Sequence, residues 1–179
     1  MLTDEKIMLN VTGGDLQQLG VLFNRYQIPL YNYFYRLNYD QSLSEDLTQN
    51  VFERIIKYKK SYTEAFPFKA WLFKIARNVN TDHFRGKRIL KDDNIELANV
   101  NITTDNVLDD IEKRERNERL EIALQTLDKD EREMIVLSRF EEIKYSEIAQ
   151  LMGLTESNIK VKIHRAIKKL KCYYENSMV

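Results

Sequence analysis

The chain has 179 residues with 28 cations and 28 carboxylates, so its net charge is zero and the balance alone argues against a polyanionic partner. Two prolines and five glycines in a chain rich in Leu, Ile, Lys and Glu argue for an all-α protein. The lone Cys172 excludes an internal disulfide, and no stretch approaches the roughly 20 apolar residues of a membrane span.

The opening MLTDEKIMLN lacks a basic region followed by an apolar run, so a cytoplasmic location is expected, without membrane insertion. The first predicted helix carries Leu19, Leu22, Phe23, Tyr26, Leu30, Tyr33, Phe34 and Leu37 at helical spacing, with a kink expected at Pro29. A turn around Asn38–Ser44 follows, where Ser42 or Ser44 can cap the next helix. In that second helix Leu47, Val51, Ile55 and Tyr58 form one stripe, with Phe52 and Ile56 beside it. Asp46, Gln49, Asn50 and Glu53 share the opposite face, because i, i+3, i+4 and i+7 lie on one side. Open carboxylates with no histidine nearby make poor acid–base catalysts, so this face reads as a docking surface or an ordinary solvated face.

Pro67 breaks the pattern by pushing Phe66 out of helical geometry. A third helix is predicted from about Phe68 to Arg88, burying Trp71, Leu72, Ile75, Ala76 and Val79. It leaves Lys74, Arg77, Asn78, Thr81, Asp82 and Arg85 on other faces, where cations suit phosphates and Asn or Thr suits base edges. Tyr58, Tyr62, Phe66 and Phe68 lie just upstream, where aromatic rings could stack an unpaired base or pack into the core, the role expected of Phe68. Charge is segregated after all: Lys69–Lys91 sums to +6, Asp92–Glu121 to −6 and Glu156–Lys171 to +5.

From Leu90 to Asp105 the periodicity is lost, which predicts a flexible acidic linker over residues 92–112 between domains at 1–91 and 113–179. Ile122, Ala123, Leu124 and Leu127 begin a second core; Asp128 or Asp130 can cap a helix that turns Met134, Ile135, Leu137 and Phe140 inward. Tyr145–Leu170 then reads as a helix, a turn at Gly153, and a cationic second helix capped by Thr155. Ile159, Ile163, Ala166, Ile167 and Leu170 give that helix one buried face, the pattern of a helix-turn-helix. His83 and His164 are far apart with no cysteine near, so neither a metal site nor a cofactor is expected.

The segments DLTQNVFERI (Asp46 to Ile55) and FKAWLFKIARNVNTDHFR (Phe68 to Arg85) resemble region 2 of the extracytoplasmic-function sigma factors of bacterial RNA polymerase. Residues Ala123 to Leu170 resemble their region 4. The resemblance implies a non-enzymatic initiation factor whose partners are core RNA polymerase, promoter DNA and an anti-sigma factor. It implies polymerase docking through Asp46, Gln49 and Phe52, with Asn50 and Glu53 on the same face. The −10 element would be melted and read by Lys74, Arg77, Asn78, Asp82 and Arg85, with Ser61, Tyr62 and Phe66 in a loop that captures a flipped base. Thr155, Ser157, Asn158, Lys160, Lys162, His164 and Arg165 would face the −35 element. The chain departs from the family at Asp128, where proline is usual, and at Glu142, where glycine is usual. A stand-alone helix-turn-helix regulator accounts for Tyr145–Leu170 equally well but leaves Asp46–Arg85 without a role.

Overall fold

The computed structural model describes residues 2–90 and 111–176, with side chains over 2–86 and 118–175. The described residues form eight α-helices and no strand: α1 (Asp4–Thr12), α2 (Gln18–Asn38), α3 (Gln41–Tyr58), α4 (Phe68–Leu90), α5 (Ile111–Gln125), α6 (Lys129–Ile135), α7 (Tyr145–Met152) and α8 (Glu156–Asn176). They fall into two compact units, one within residues 1–97 and the other within 98–179. Residues 92–110 of the expected linker lie outside the described residues, and its last two already belong to α5.

In unit one, α2, α3 and α4 pack their apolar stripes together. Leu22, Leu30, Tyr33, Phe34, Val51, Ile55, Leu72, Phe73 and Ala76 are all fully buried. Tyr33 meets Phe34 and Phe73 edge-on, each at 5.2 Å, the arrangement that ring quadrupoles favour. Pro29 lies inside α2, which runs on past it, so the expected kink does not divide the helix; proline there forfeits one backbone donor. The cap of α3 is Asp40, whose Oδ1 accepts the Leu43 N–H at 2.9 Å. Ser44 is instead one turn inside and buried, donating back to the Asp40 carbonyl. The helix starts before the serines, so neither serves as its cap.

Helix α1 is absent from the sequence reading. Nine residues with three core positions (Ile7, Met8, Val11) cannot hold a helix alone, and packing on α2 and α4 supplies the rest. Its Asp4 accepts hydrogen bonds from Arg25 and from the Tyr26 hydroxyl, tying it to α2. Several side chains placed on apolar stripes are not inside: Trp71 is only partly covered, and Phe23, Ile56 and Tyr58 are exposed.

In unit two, Asp128 Oδ1 accepts the Glu131 N–H at 2.8 Å and caps α6, and that bond holds its carboxyl below the usual range. The Arg132 guanidinium gathers the carbonyls of Leu124, Gln125 and Leu127 at 3.0–3.2 Å, closing the C-terminus of α5. Lys169 on α8 reaches both carboxylate oxygens of the buried Glu131 at 2.7 Å. Ile122, expected in this core, is exposed, because α5 turns Ala123 and Leu124 inward instead.

After α6 the chain widens into one π turn, Val136–Phe140, where the Glu141 N–H reaches the Val136 carbonyl at 3.1 Å. Ile143 N–H then reaches back to the Leu137 carbonyl at 3.0 Å, which places Glu142 between them at φ 54°. A left-handed position favours glycine, the residue that the resemblance leads one to expect there. Glu142→Gly is therefore expected to stabilise unit two by about 1 kcal/mol, measured by urea unfolding. An unchanged or lower midpoint would mean the glutamate is not strained there.

Candidate nucleic-acid interface

The exposed face of α3 follows from its buried one. With Leu47, Val51 and Ile55 in the core, Asp46, Gln49 and Glu53 project outward and are exposed. Phe52 is buried at the seam, its ring 4.8 Å from that of Phe23 on α2, so it shapes the face without projecting from it. Asn50 is only partly exposed, and its Oδ1 accepts from Arg54 Nε at 3.1 Å. Arg54 in turn pairs with Asp82 of α4 at 2.7 Å. Asn50 and Asp82, expected on two different contact surfaces, are thus joined through Arg54, with Asp82 itself still exposed.

On α4 the exposed residues Lys74, Asn78, Thr81 and Arg85 recur at spacings of four, three and four and form a single row. Arg77 is half-buried beside it. Asp82 sits toward α3, where Arg54 compensates its charge; its carboxylate would repel phosphate. The row therefore holds two cations and two hydrogen-bonding side chains with no carboxylate in it.

The loop before α4 differs most from expectation. Tyr62 was expected to meet a flipped base, yet it is buried, with its ring edge-on to Trp71 at 5.2 Å and Phe68 at 6.0 Å. Ser61 is exposed but its hydroxyl is donated to the Tyr58 carbonyl at 2.7 Å. Phe66 is half-exposed, and Thr63, Glu64 and Ala65 are the open residues. Periodicity could not show this, since the segment folds back onto Phe68 and Trp71 of α4.

The Tyr62 hydroxyl is itself buried without a hydrogen-bond partner. Burial, then the carboxylates of Glu5, Glu64 and Asp4, push its pKa up to about 12. Tyr62→Phe should stabilise unit one at neutral pH by about 1 kcal/mol, since an unsatisfied polar group is removed. An unfolded tyrosine ionises near 10, so this residue's folded-state advantage is present below that pH and lost as pH rises through about 12. The gain from Tyr62→Phe should therefore grow between pH 10 and 12. Urea midpoints that fall in the phenylalanine variant would show that the hydroxyl has a partner.

In unit two, Gly153 at φ 67° turns α7 into α8, and Thr155 Oγ1 accepts the Asn158 N–H at 3.2 Å. Ile159, Ile163 and Ala166 are buried, so Ser157, Val161 and Arg165 form the outward row, flanked by His164 and Lys168. Val161 and Lys168 were not among the expected contacts. Lys160 stands to one side and is paired with Glu156 at 2.8 Å. Lys162 is exposed on the other flank, and Thr155 and Asn158 are exposed at the start of the helix. Among the described residues no group of His, Cys, Asp or Glu could hold a metal ion, and no helix is long and apolar enough to cross a membrane.

Comparison with known proteins decides what these surfaces belong to. The family model for sigma-70 region 2 matches residues 22–89, and that for sigma-70 region 4 matches residues 117–170. The sigma factor CarQ of Myxococcus xanthus is 30% identical over 84% of this chain and 85% of its own length. The chain belongs to the sigma-70 family. Within it, the chain is an extracytoplasmic-function sigma factor, a promoter-specificity factor that binds core RNA polymerase. Members of the family are non-enzymatic initiation factors.

Among similar sigma factors, SigM of Bacillus subtilis is 28% identical over 88% of this sigma factor and 95% of its own length. BldN of Streptomyces coelicolor is 29% identical over 88% of it, but this sigma factor spans only 60% of BldN. The solved structures of CnrH and of RpoE from Bartonella quintana share its fold with a TM-score of 0.73 at 22% identity. CnrH covers 97% of this sigma factor and RpoE 89%.

Proposed function

We propose that the two units of this sigma factor divide promoter recognition between them. Unit one docks on core polymerase through Asp46, Gln49 and Glu53 on α3, with Phe52 shaping that face from below and Asn50 bracing Arg54. The row Lys74–Asn78–Thr81–Arg85, flanked by Arg77, takes the −10 element, and the exposed loop residues with Phe66 take an unpaired base. In unit two the row Ser157–Val161–Arg165 faces the −35 bases, with Val161 placed to meet a thymine methyl. His164, Lys162 and Lys168 suit the phosphates alongside, and Thr155, Asn158 and Lys160 lie at the rim.

The observation that carries this reading is the carboxylate-free row on α4, beside which the charge of Asp82 is paired with Arg54 of α3. A stand-alone repressor has no use for it. RpoE of Bartonella quintana was solved with an anti-sigma factor, NepR. We extend that kind of partner to this chain, together with a cytoplasmic location beside the polymerase and no reaction of its own.

Run-off transcription with purified core polymerase over a promoter library tests the reading. Transcripts should depend on the protein, and duplex binding should be weak until polymerase is added. Tight operator binding by the free chain, with no dependent transcript, would establish the repressor instead.

A further inference from the structure

Helix α1 does more than bury Ile7, Met8 and Val11. Its polar side chains converge on one segment, residues 59–68, at both ends. The Thr12 hydroxyl lies 3.0 Å from the Met8 carbonyl one turn back and 3.2 Å from the Lys59 carbonyl, so its proton is shared between them. At the far end, Glu5 Oε1 accepts the Phe68 N–H at 3.2 Å. That N–H is one of the donors left orphaned where α4 begins, and a carboxylate there also suits the helix dipole. These two bonds join positions 47 and 63 residues apart, so they are tertiary contacts and not products of local chain geometry.

Between the two anchors the segment has a fixed floor and an open roof. Tyr62 is the floor, wedged against Phe68 and Trp71, and Thr63, Glu64 and Ala65 are the roof. A segment anchored at each end has less conformational freedom to lose when a ligand orders it.

We propose that α1 is a clip that presets the strand-capturing loop, with Glu5 and Thr12 as positioning residues and the unpaired −10 strand as the ligand whose capture depends on them. The inference rests on the −10 reading above and extends it to residues ahead of the matched region 2, which starts at residue 22. Neither residue is placed to touch DNA; both act through the loop.

Four variants of the full chain test it: Thr12→Val and Glu5→Leu, which remove the bonds, and Thr12→Ser and Glu5→Gln, which keep a donor or acceptor. Amide hydrogen exchange on the free protein is the first readout. The valine and leucine variants should exchange the amides of 59–68 about tenfold faster, with α2 and α3 unchanged, while serine and glutamine restore protection. The second readout is strand opening, followed by 2-aminopurine placed in the −10 element of a promoter from the transcription screen. Opening should fall about tenfold at unchanged affinity for core polymerase.

Unchanged exchange in the loop overturns the clip. Faster exchange with wild-type opening overturns its link to strand capture. If Glu5→Leu fails to fold, Thr12→Val, which exchanges a hydroxyl for a methyl, carries both readouts. If the wild-type chain itself opens no promoter, the −10 reading fails, and exchange alone decides whether the clip exists.

Discussion

Phe73→Ala is expected to cost unit one about 3–5 kcal/mol, a large part of what a domain of this size has. Phe73 is fully buried, sits edge-on to Tyr33 at 5.2 Å, and lies beneath the Lys69 ammonium, which is 6.0 Å from its ring centre. Truncation opens a cavity between α2 and α4 that surrounding side chains fill only in part, so transfer and cavity costs add. The consequence reaches function, because α4 carries the Lys74–Arg85 row on its other side. Urea unfolding and opening of the −10 element should both deteriorate. A loss below about 1 kcal/mol would mean that α4 is not packed on α2 through this ring.

Arg165→Ala should lower affinity for a −35 duplex about 10- to 100-fold, the range for losing a bidentate base contact. Arg165 is exposed in the outward row of α8, four residues after Val161, and that row is free of carboxylates. If Arg165 reads guanine, the loss is confined to cognate sequence and discrimination falls with it. If it contacts phosphate, binding weakens on all sequences, and the log–log salt slope falls by about 0.9. Fluorescence anisotropy on cognate and scrambled duplexes at several salt concentrations separates the two outcomes. Equal affinity for wild type and variant would remove α8 from the −35 element. In the same assay, deoxyuridine in place of thymine should weaken wild type but not Val161→Ala, provided the valine meets a methyl.

Much of the fold is legible in the chain. The stripes of α2, α3, α4 and α8 each repeat over several positions at helical spacing, and Asp128, Thr155 and Gly153 mark helix ends through short-range bonds that any reader of local pattern finds. What failed was short or marginal: α1, with three buried positions; the cap of α3, which is Asp40 and not Ser42 or Ser44; and Ile122, one residue off its face. The left-handed Glu142 is the converse case, a departure from family pattern that the backbone explains.

For the candidate surfaces, helical spacing by itself determined which residues share a face: Asp46 with Gln49 and Glu53, Lys74 with Asn78, Ser157 with Arg165. Those facts follow from 100° per residue and need no partner element. Only the tertiary structure decided which members of those faces are open. Asp82 stays exposed but is paired with an arginine 28 residues away, and Tyr62 is buried with its ring against Phe68 and Trp71 of the following helix. The physical reason is range. A face is a property of a few turns of chain, whereas burial and charge compensation depend on whatever element folds against it.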